Sequence, residues 1–423
     1  MSSIPVLLAG GGAAWEARLV ASWGFGMPGL QLVRRCLDLA DLLATASTGT
    51  AEVVVVDAEL RRFDRESVTR LHECGAVVVA VVDDEPAERR VRDLRVDAVV
   101  SREVGFEQLA TVLRVAVAAS QGSDTKAATA SAEDEPPGAL PAGPGRDIDG
   151  TVVAVWGPVG APGRTTIAMN LAAELAVVEA PVLLAEADTY GPCLAQLLGV
   201  LDEAPGLAAA ARAANGGLLD VPRLHRFAPQ ALPGVQLLFG PTRSERWVEL
   251  RRSSLDEVWR VSRRLAAWTV IDAGFCLEQD EALVYDTAAP QRNAATLSAL
   301  EAADVVVVVA AGDPVGVARL VRALPAVREW ATGSKLQIVV NRVRSAVMGS
   351  DAEAQLREAL RRHTGLDVAC FLPDDPKSLD AAVRSGRVLR ESVPRSVVRQ
   401  RLQSFARELT GRAAPSARRR RAS

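Results

Sequence analysis

Residues 152–166, Val-Val-Ala-Val-Trp-Gly-Pro-Val-Gly-Ala-Pro-Gly-Arg-Thr-Thr, constrain the fold more than any other stretch of the chain. A run of β-formers stops at a loop of glycines and prolines. The loop ends in Gly163-Arg164-Thr165-Thr166, where a helical pattern begins. In such a strand–loop–helix unit, backbone N–H groups and a helix N-terminus hold an anion. Gly160 and Gly163 allow close backbone approach to a phosphate, Thr165 and Thr166 follow at the helix start, and the Thr165 hydroxyl suits Mg²⁺. Arg164 stands where such loops carry a lysine, and its planar fork is not a point charge. Pro158 replaces the first glycine, and Pro162 removes an amide from the loop.

Two further strand ends join this loop. Val182-Leu183-Leu184-Ala185-Glu186-Ala187-Asp188 puts two carboxylates at the end of the next strand, and Trp268-Thr269-Val270-Ile271-Asp272 ends another in Asp272, before Ala273-Gly274. Ligands of open α/β sheets bind at that edge. Asp272 there suits Mg²⁺ held through water, and Gly274 brings an amide near a terminal phosphate. One such aspartate alone is usually a helix cap or turn residue. Three elements in this order favour a nucleotide site.

A chain of 423 residues has room for two or three domains, and 49% hydrophobic with 24% charged residues fits globular cores. The net charge of −3 gives no global field toward nucleic acid. Only three of the 49 basic residues are lysines, so arginine at one position is weak evidence of selection. The five cysteines are scattered without CxxC spacing, which argues against a zinc site or disulfide framework and for a reducing cytoplasm. No leader-like pattern opens the chain. The apolar runs Ala76–Val82 and Val305–Ala311 are far short of the roughly 20 residues that span a bilayer, and read as buried parallel strands.

Residues 1–119 alternate strands (Pro5–Ala9, a weaker one near Leu30–Val33, Val53–Asp57, Ala76–Val82, Asp97–Val100) with helices such as Asp38–Ala46, Pro86–Leu94 and Glu107–Ala118. That alternation implies a doubly wound α/β domain. Residues 120–149, rich in Ala, Pro, Gly and acids, read as a flexible linker spanning on the order of 30 Å, free to let the first domain dock elsewhere. Residues 150–410 carry a second α/β pattern with a mostly parallel sheet. Its strands are Thr151–Trp156, Val182–Glu186, Val235–Phe239, Trp268–Ile271, Asp304–Ala310, Gln337–Val340 and one near Val368–Phe371. The helix Ser396–Thr410 aligns Val398, Leu402, Phe405 and Leu409 on one face, a core stripe or, as the lesser reading, a membrane-facing anchor beside the basic tail 411–423 with Arg418–Arg421. The Ala/Gly-rich stretch within Leu201–Arg226 covers the site or a dimer face.

These motifs resemble known families. Residues 1–119 resemble a response-regulator receiver, with Asp57 at the phosphoacceptor position. However, Gly10-Gly11-Gly12 and Ser101-Arg102 stand where receivers carry acidic metal ligands and a lysine. An interaction domain is therefore expected, not phosphorylation. Residues 150–390 resemble the deviant-Walker P-loop ATPases of the MinD/ParA class. The resemblance implies ATP and Mg²⁺ as cofactors, Asp188 as the carboxylate that orients the attacking water, and Asp272 as the Walker B position. It likewise implies Asn341 of Ile338-Val339-Val340-Asn341-Arg342-Val343 as the adenine contact and Pro373 of Phe371-Leu372-Pro373-Asp374-Asp375 beside the base. Asp375-Pro376-Lys377 and Ser385-Gly386-Arg387 match the closing part of the CpaE/TadZ pilus-localisation branch, which also has a degenerate receiver-like first domain. The class's signature lysine, which reaches across an ATP-sandwiched dimer, is Val159 here.

The expectation is a cytoplasmic, ATP-binding spatial-organisation protein that positions a septum or pilus assembly, recruited to a pole, septum or inner membrane face. An ATP-dependent homodimer is implied, with assembly partners bound through the first domain and peripheral membrane contact as an added route. Loss of a preorganised charge or donor costs several kcal/mol of transition-state stabilisation, so ATP hydrolysis to ADP and phosphate is expected to be weak or slow. Two alternatives stay open: a nucleotide-independent scaffold with a vestigial loop and, ranked last, a ParA-like DNA-binding partition ATPase using the arginine tail.

Overall fold

The computed structural model describes residues 3–23, 29–123, 150–160, 162–200, 204–279 and 290–411. The chain divides into two compact units, Met1–Pro144 with Ala213–Leu218, and Gly145–Arg212 with Leu219–Ser423. Most of the expected linker (124–149) and the tail with Arg418–Arg421 lie outside the described residues.

In the first unit, β1 (Ile4–Ala9), β2 (Leu30–Arg35), β3 (Val53–Asp57), β4 (Val77–Val82) and β5 (Ala98–Ser101) alternate with helices α1 (Ala14–Trp23), α2 (Leu39–Ala46), α3 (Arg65–Glu73), α4 (Glu85–Asp93) and α5 (Phe106–Ser123). The sheet runs β2-β1-β3-β4-β5, all parallel, the doubly wound order of flavodoxin-like folds. β3 and β4 are buried at every residue, because helices cover both faces and their valine runs need no polar side. Leu7, Val54, Val56 and Val78 pack with Leu42, Val68 and Val91 on one face, and Val6, Leu8, Val55 and Val79 with Trp15, Leu109 and Leu113 on the other. Asp38, Asp64 and Asp84 each accept a hydrogen bond from the amide three residues on, fixing where α2, α3 and α4 begin.

Asp57 closes β3 almost wholly buried. Its Oδ2 accepts from Trp15 Nε1 at 2.5 Å, Arg102 Nη2 reaches both oxygens at 3.0 and 3.3 Å, and the Glu59 amide donates to Oδ1 at 2.8 Å. Arg102 also bridges to Asp83 at 2.8 Å. The arginine in place of a lysine thus occupies the carboxylate. Under the glycine loop sits Glu16, a carboxylate the sequence motifs did not point to, paired with Arg35 at 2.7 and 3.0 Å and accepting from the Gly12 amide. Burial pushes the Glu16 carboxyl up, but Arg35 and the backbone amides outweigh it and hold it below its ordinary value.

The second unit contains β6 (Thr151–Trp156), α6 (Arg164–Val178), β7 (Val182–Ala187), β8 (Gln230–Leu232), β9 (Val235–Leu238), β10 (Trp268–Ala273), β11 (Val305–Ala311), β12 (Lys335–Val343) and β13 (Val368–Pro373). The order is β13-β12-β11-β6-β10-β7-β9-β8. Every pair is parallel except β8 with β9. β8 has no counterpart among the expected strands, since three residues are too few to show a period. The sheet positions the site: β6 lies at the centre, with β10 and β7 to one side and β11 to the other.

Helix α6 is buried without a break from Ile167 to Leu175, so it is a core helix with no exposed face over that span. The final helix, Val397–Leu409, lies against it. Val398, Leu402 and Phe405 are core residues and Leu409 packs on the same cluster, while Arg399 grips Glu174 of α6 at 2.7 and 3.0 Å. The membrane-facing reading of this stripe is therefore corrected: the core already covers it. No helix among the described residues is long and apolar enough to cross a membrane. In the helix Gly206–Asn215, Leu207, Ala208, Ala210 and Ala211 are buried; residues 201–203 lie outside the described residues.

Candidate nucleotide site

The loop after β6 is shaped by what glycine permits. A Cβ at Gly157 would fall 2.4 Å from the Val309 carbonyl oxygen, and Gly163, at φ +97°, would place one 2.5 Å from Asn341 Nδ2. Gly160 is at φ +110°. Gly163 is the N-cap of α6, makes no side-chain cap, and no acidic residue occupies the first turn. The first-turn amides of this helix therefore keep their partial positive charge for an outside acceptor. Ala161 lies outside the described residues.

Arg164 points inward, not along the loop. Its Nη1 donates to the Gly157 carbonyl at 3.2 Å, Nε to the Ala273 carbonyl at 3.2 Å, and Nη2 to Asp188 Oδ2 at 3.1 Å. One guanidinium thereby ties the ends of β6, β7 and β10. A planar fork meets three spaced acceptors from three separate nitrogens at fixed angles, whereas an ammonium's donors radiate from one nitrogen. Asp188 Oδ1 accepts from the amides of Tyr190 at 2.9 Å and Gly191 at 3.3 Å, which leaves this carboxylate largely satisfied within the protein. Tyr190 in turn donates from its hydroxyl to Asn293 at 2.8 Å and stacks under Arg292, 4.0 Å from the ring centre.

Register brings the carboxylates together. Asp272 on β10 lies opposite Val155 of β6 and Glu186 of β7. Glu186 serves the fold: it accepts from the Cys193, Leu194 and Gly240 amides at 2.5, 2.7 and 2.9 Å. Burial raises its carboxyl above the ordinary value, against the pull of those amides. Asp272 is different. It is fully buried, hydrogen-bonded by Thr165, and its Oδ1 has no partner among the described residues. Burial above all, with Asp188 and Glu186 adding to it, pushes Asp272 up to about 8 despite Thr165 and Arg164. Burial likewise pushes the neighbouring Cys193 thiol up to about 11.

An orphaned carboxylate oxygen beside a threonine hydroxyl fits Mg²⁺, which takes hard oxygen donors and few from the protein, the rest coming from water and phosphate. Among the described residues no group of three or more His, Cys, Asp or Glu side chains gathers to cage a metal unaided.

Beside the loop opens a cavity of about 740 Å³, within the range of small-molecule sites. Pro158, Val159, Gly160, Pro162 and Thr166 form one wall; Asp313, Arg319, Arg342, Arg344, Asp374 and Pro376 are among the residues opposite. Thr166 is therefore at the cavity, its carbonyl accepting from Asn170. Asn341 is buried at the end of β12 and donates to the Pro162 carbonyl at 2.8 Å. It holds the loop, while its neighbour Arg342 faces the cavity, in left-handed backbone at φ +56°. Pro373 ends β13 and the cavity is lined by the next residue, Asp374. Val159 is more than half exposed at the rim. No fixed spacing in the sequence connects the arginines of this cavity to the loop, so no sequence motif points to them.

No family model and no curated protein matches the chain. Solved structures do. A ParA-family ATPase from Chlorobium tepidum is 17% identical with a TM-score of 0.51, covering 60% of this chain and 98% of its own. The cell-division ATPase MinD of Pyrococcus furiosus is 18% identical with a TM-score of 0.48, over 62% and 100%. The Cyanothece McdA(D38A)–ATP complex is 17% identical with a TM-score of 0.49, over 63% and 99%. At such identities the likeness is one of fold alone, and with the Chlorobium tepidum structure it extends over 60% of this chain.

Proposed function

We propose that this chain is an ATP- and Mg²⁺-binding spatial-organisation protein of the MinD/CpaE kind, positioning a septum or pilus assembly. The observation that carries this reading is the unpartnered, buried Asp272 Oδ1 beside Thr165, at the mouth of an uncapped helix N-terminus and next to a nucleotide-sized cavity. A vestigial loop has no physical reason to keep a carboxylate oxygen buried and unsatisfied, since that costs about 1–3 kcal/mol.

In this reading Gly160, Gly163, Arg164, Thr165 and Thr166 form the phosphate loop, Thr165 and Asp272 hold Mg²⁺, and Asn341 and Pro373 shape the base side. Bound Mg²⁺ supplies charge neutralisation at the phosphates. Asp188 is the water-orienting carboxylate, but Arg164 on one oxygen and two amides on the other already engage it, which supports slow hydrolysis. Residues 1–119 act as an interaction domain for the assembly, 120–149 as the linker, 150–410 as the switch and 411–423 as a basic tail. ATP favours a homodimer, and the cytoplasmic protein is recruited to a pole, septum or the inner membrane face by its partner.

A second reading, a nucleotide-independent scaffold, draws on one observation: each of the three guanidinium nitrogens of Arg164 already donates to a protein acceptor. Light scattering of the full chain with and without millimolar Mg-ATP separates the two. Dimers that form with ATP support the switch; an unchanged oligomeric state supports the scaffold.

A further inference from the structure

The helix Pro314–Trp330 begins hard against the edge of the sheet. Asp313 caps it, accepting from the Gly316 amide at 2.8 Å. A Cβ at Gly316 would fall 2.3 Å from the Ala311 carbonyl oxygen, so only glycine lets the first turn come this close to the end of β11. Val315 and Arg319, four residues apart, share one helix face, and both line the cavity across from the phosphate loop. Arg319 reaches the loop itself. A Cβ built on Gly160 would lie 2.0 Å from Arg319 Nη1, so the guanidinium fills the space that glycine leaves open.

The two arginines at the loop have different employment. Arg164 is held by three protein acceptors. Arg319 has no hydrogen-bond or ion-pair partner among the described residues and is exposed on the cavity wall. The carboxylates that share its cavity are Asp313, Asp374 and Asp380, and Asp313 has Arg344 at 3.9 Å. An unpaired guanidinium beside loop amides and an uncapped helix N-terminus makes a site for a multiply charged oxyanion, to which its fork can bond two oxygens at once.

We propose that Arg319, supplied by the same chain from a helix remote in sequence, is the cation that meets the polyphosphate at this loop, while Arg164 braces the strand ends. The proposal rests on the nucleotide-site reading above and names a residue which that reading does not contain. It also gives a physical reason for Val159: with Arg319 over Gly160, the loop has its cation without a lysine at that position.

The test is calorimetric titration of Mg-ATP, and separately of inorganic tripolyphosphate, into the full chain and its Arg319→Ala, Arg319→Lys and Arg322→Ala variants. Arg322 is an exposed residue of the same helix that does not line the cavity, so its variant controls for lost charge. Arg319→Ala is expected to weaken both ligands about tenfold or more, about 1.4 kcal/mol. Arg319→Lys should recover part of the loss and Arg322→Ala should bind as the unmodified chain. Unchanged binding by Arg319→Ala, or a loss for ATP alone with tripolyphosphate unaffected, overturns the proposal and leaves the nucleotide site standing. Failure of the folded, unmodified chain to bind either ligand overturns the nucleotide-site reading and the proposal with it.

Discussion

Arg164 reaches about as far as a lysine would, but it bonds differently. Its guanidinium meets the Gly157 and Ala273 carbonyls and Asp188 at 3.1–3.2 Å, joining three strand ends that a single ammonium cannot bond in the same geometry. Arg164→Lys is expected to cost about 1–3 kcal/mol of stability, read as a lower urea midpoint with an unchanged slope. Asp57 obeys the same logic in the first unit. Removing it strands the buried Trp15 N–H and leaves Arg102 with Asp83 alone. Asp57→Ala should lower stability by about 1–3 kcal/mol. The intact chain incubated with a small phosphodonor should show no phosphate adduct by mass spectrometry, because the carboxylate oxygens are already engaged.

At the scale of elements, close approach decides where helices sit. Gly316→Ala would set a Cβ 2.3 Å from the Ala311 oxygen, pushing the helix Pro314–Trp330 off β11. A loss of about 1–3 kcal/mol is expected by chemical denaturation. Much of the element pattern was legible in the sequence. Valine runs such as Val53–Asp57 and Val305–Ala311 are strands because burial on both faces permits continuous apolar residues. The strand–loop–helix at 151–178 was legible too, since its turn chemistry is local. What was not legible depends on contacts across the chain: Glu16 with Arg35, Asn341 on the Pro162 carbonyl, and Arg319 over Gly160. No periodicity records a side chain that crosses more than 150 residues to fill the space above a glycine. The stripe Val398–Leu409 shows the opposite limit. Its amphipathic period is the same whether a core or a lipid surface covers it, and only the packing on α6 decides.

At the scale of the molecule, the carboxylates on which burial acts most are shifted in opposite directions in the two units, while the half-buried Glu249 and exposed Glu358 of the second unit are held below their ordinary values chiefly by arginines beside them. In the first, Glu16 and Asp97 sit below their ordinary values: burial pushes each up, and Arg35 with backbone amides, or His72 with the Val78 amide, more than offsets it. Depressed carboxyls add stability above the unfolded value near 4, which is lost as pH falls through the folded one. In the second, Asp272 and Glu186 are raised chiefly by burial, Asp272 to about 8. There the folded state keeps a proton that the unfolded chain has released, so stability declines as pH rises from the ordinary carboxyl range toward about 8. Thermal unfolding of metal- and nucleotide-free protein should therefore resolve two transitions. On acidification from pH 8 to 5 the transition of the second unit should rise while that of the first holds, and the first should fall only below about pH 4.5. A single transition, or both moving together, would show that the units do not unfold by themselves.

The loop and Asp272 form a working nucleotide site only if Mg-ATP binds there. Calorimetric titration of Mg-ATP into the full chain, beside Asp272→Ala checked for folding by circular dichroism, tests it most directly. Micromolar binding is expected, weakened at least tenfold by the substitution and lost when Mg²⁺ is chelated. Absence of heat up to millimolar nucleotide in the folded chain, or equal binding by the variant, would contradict it.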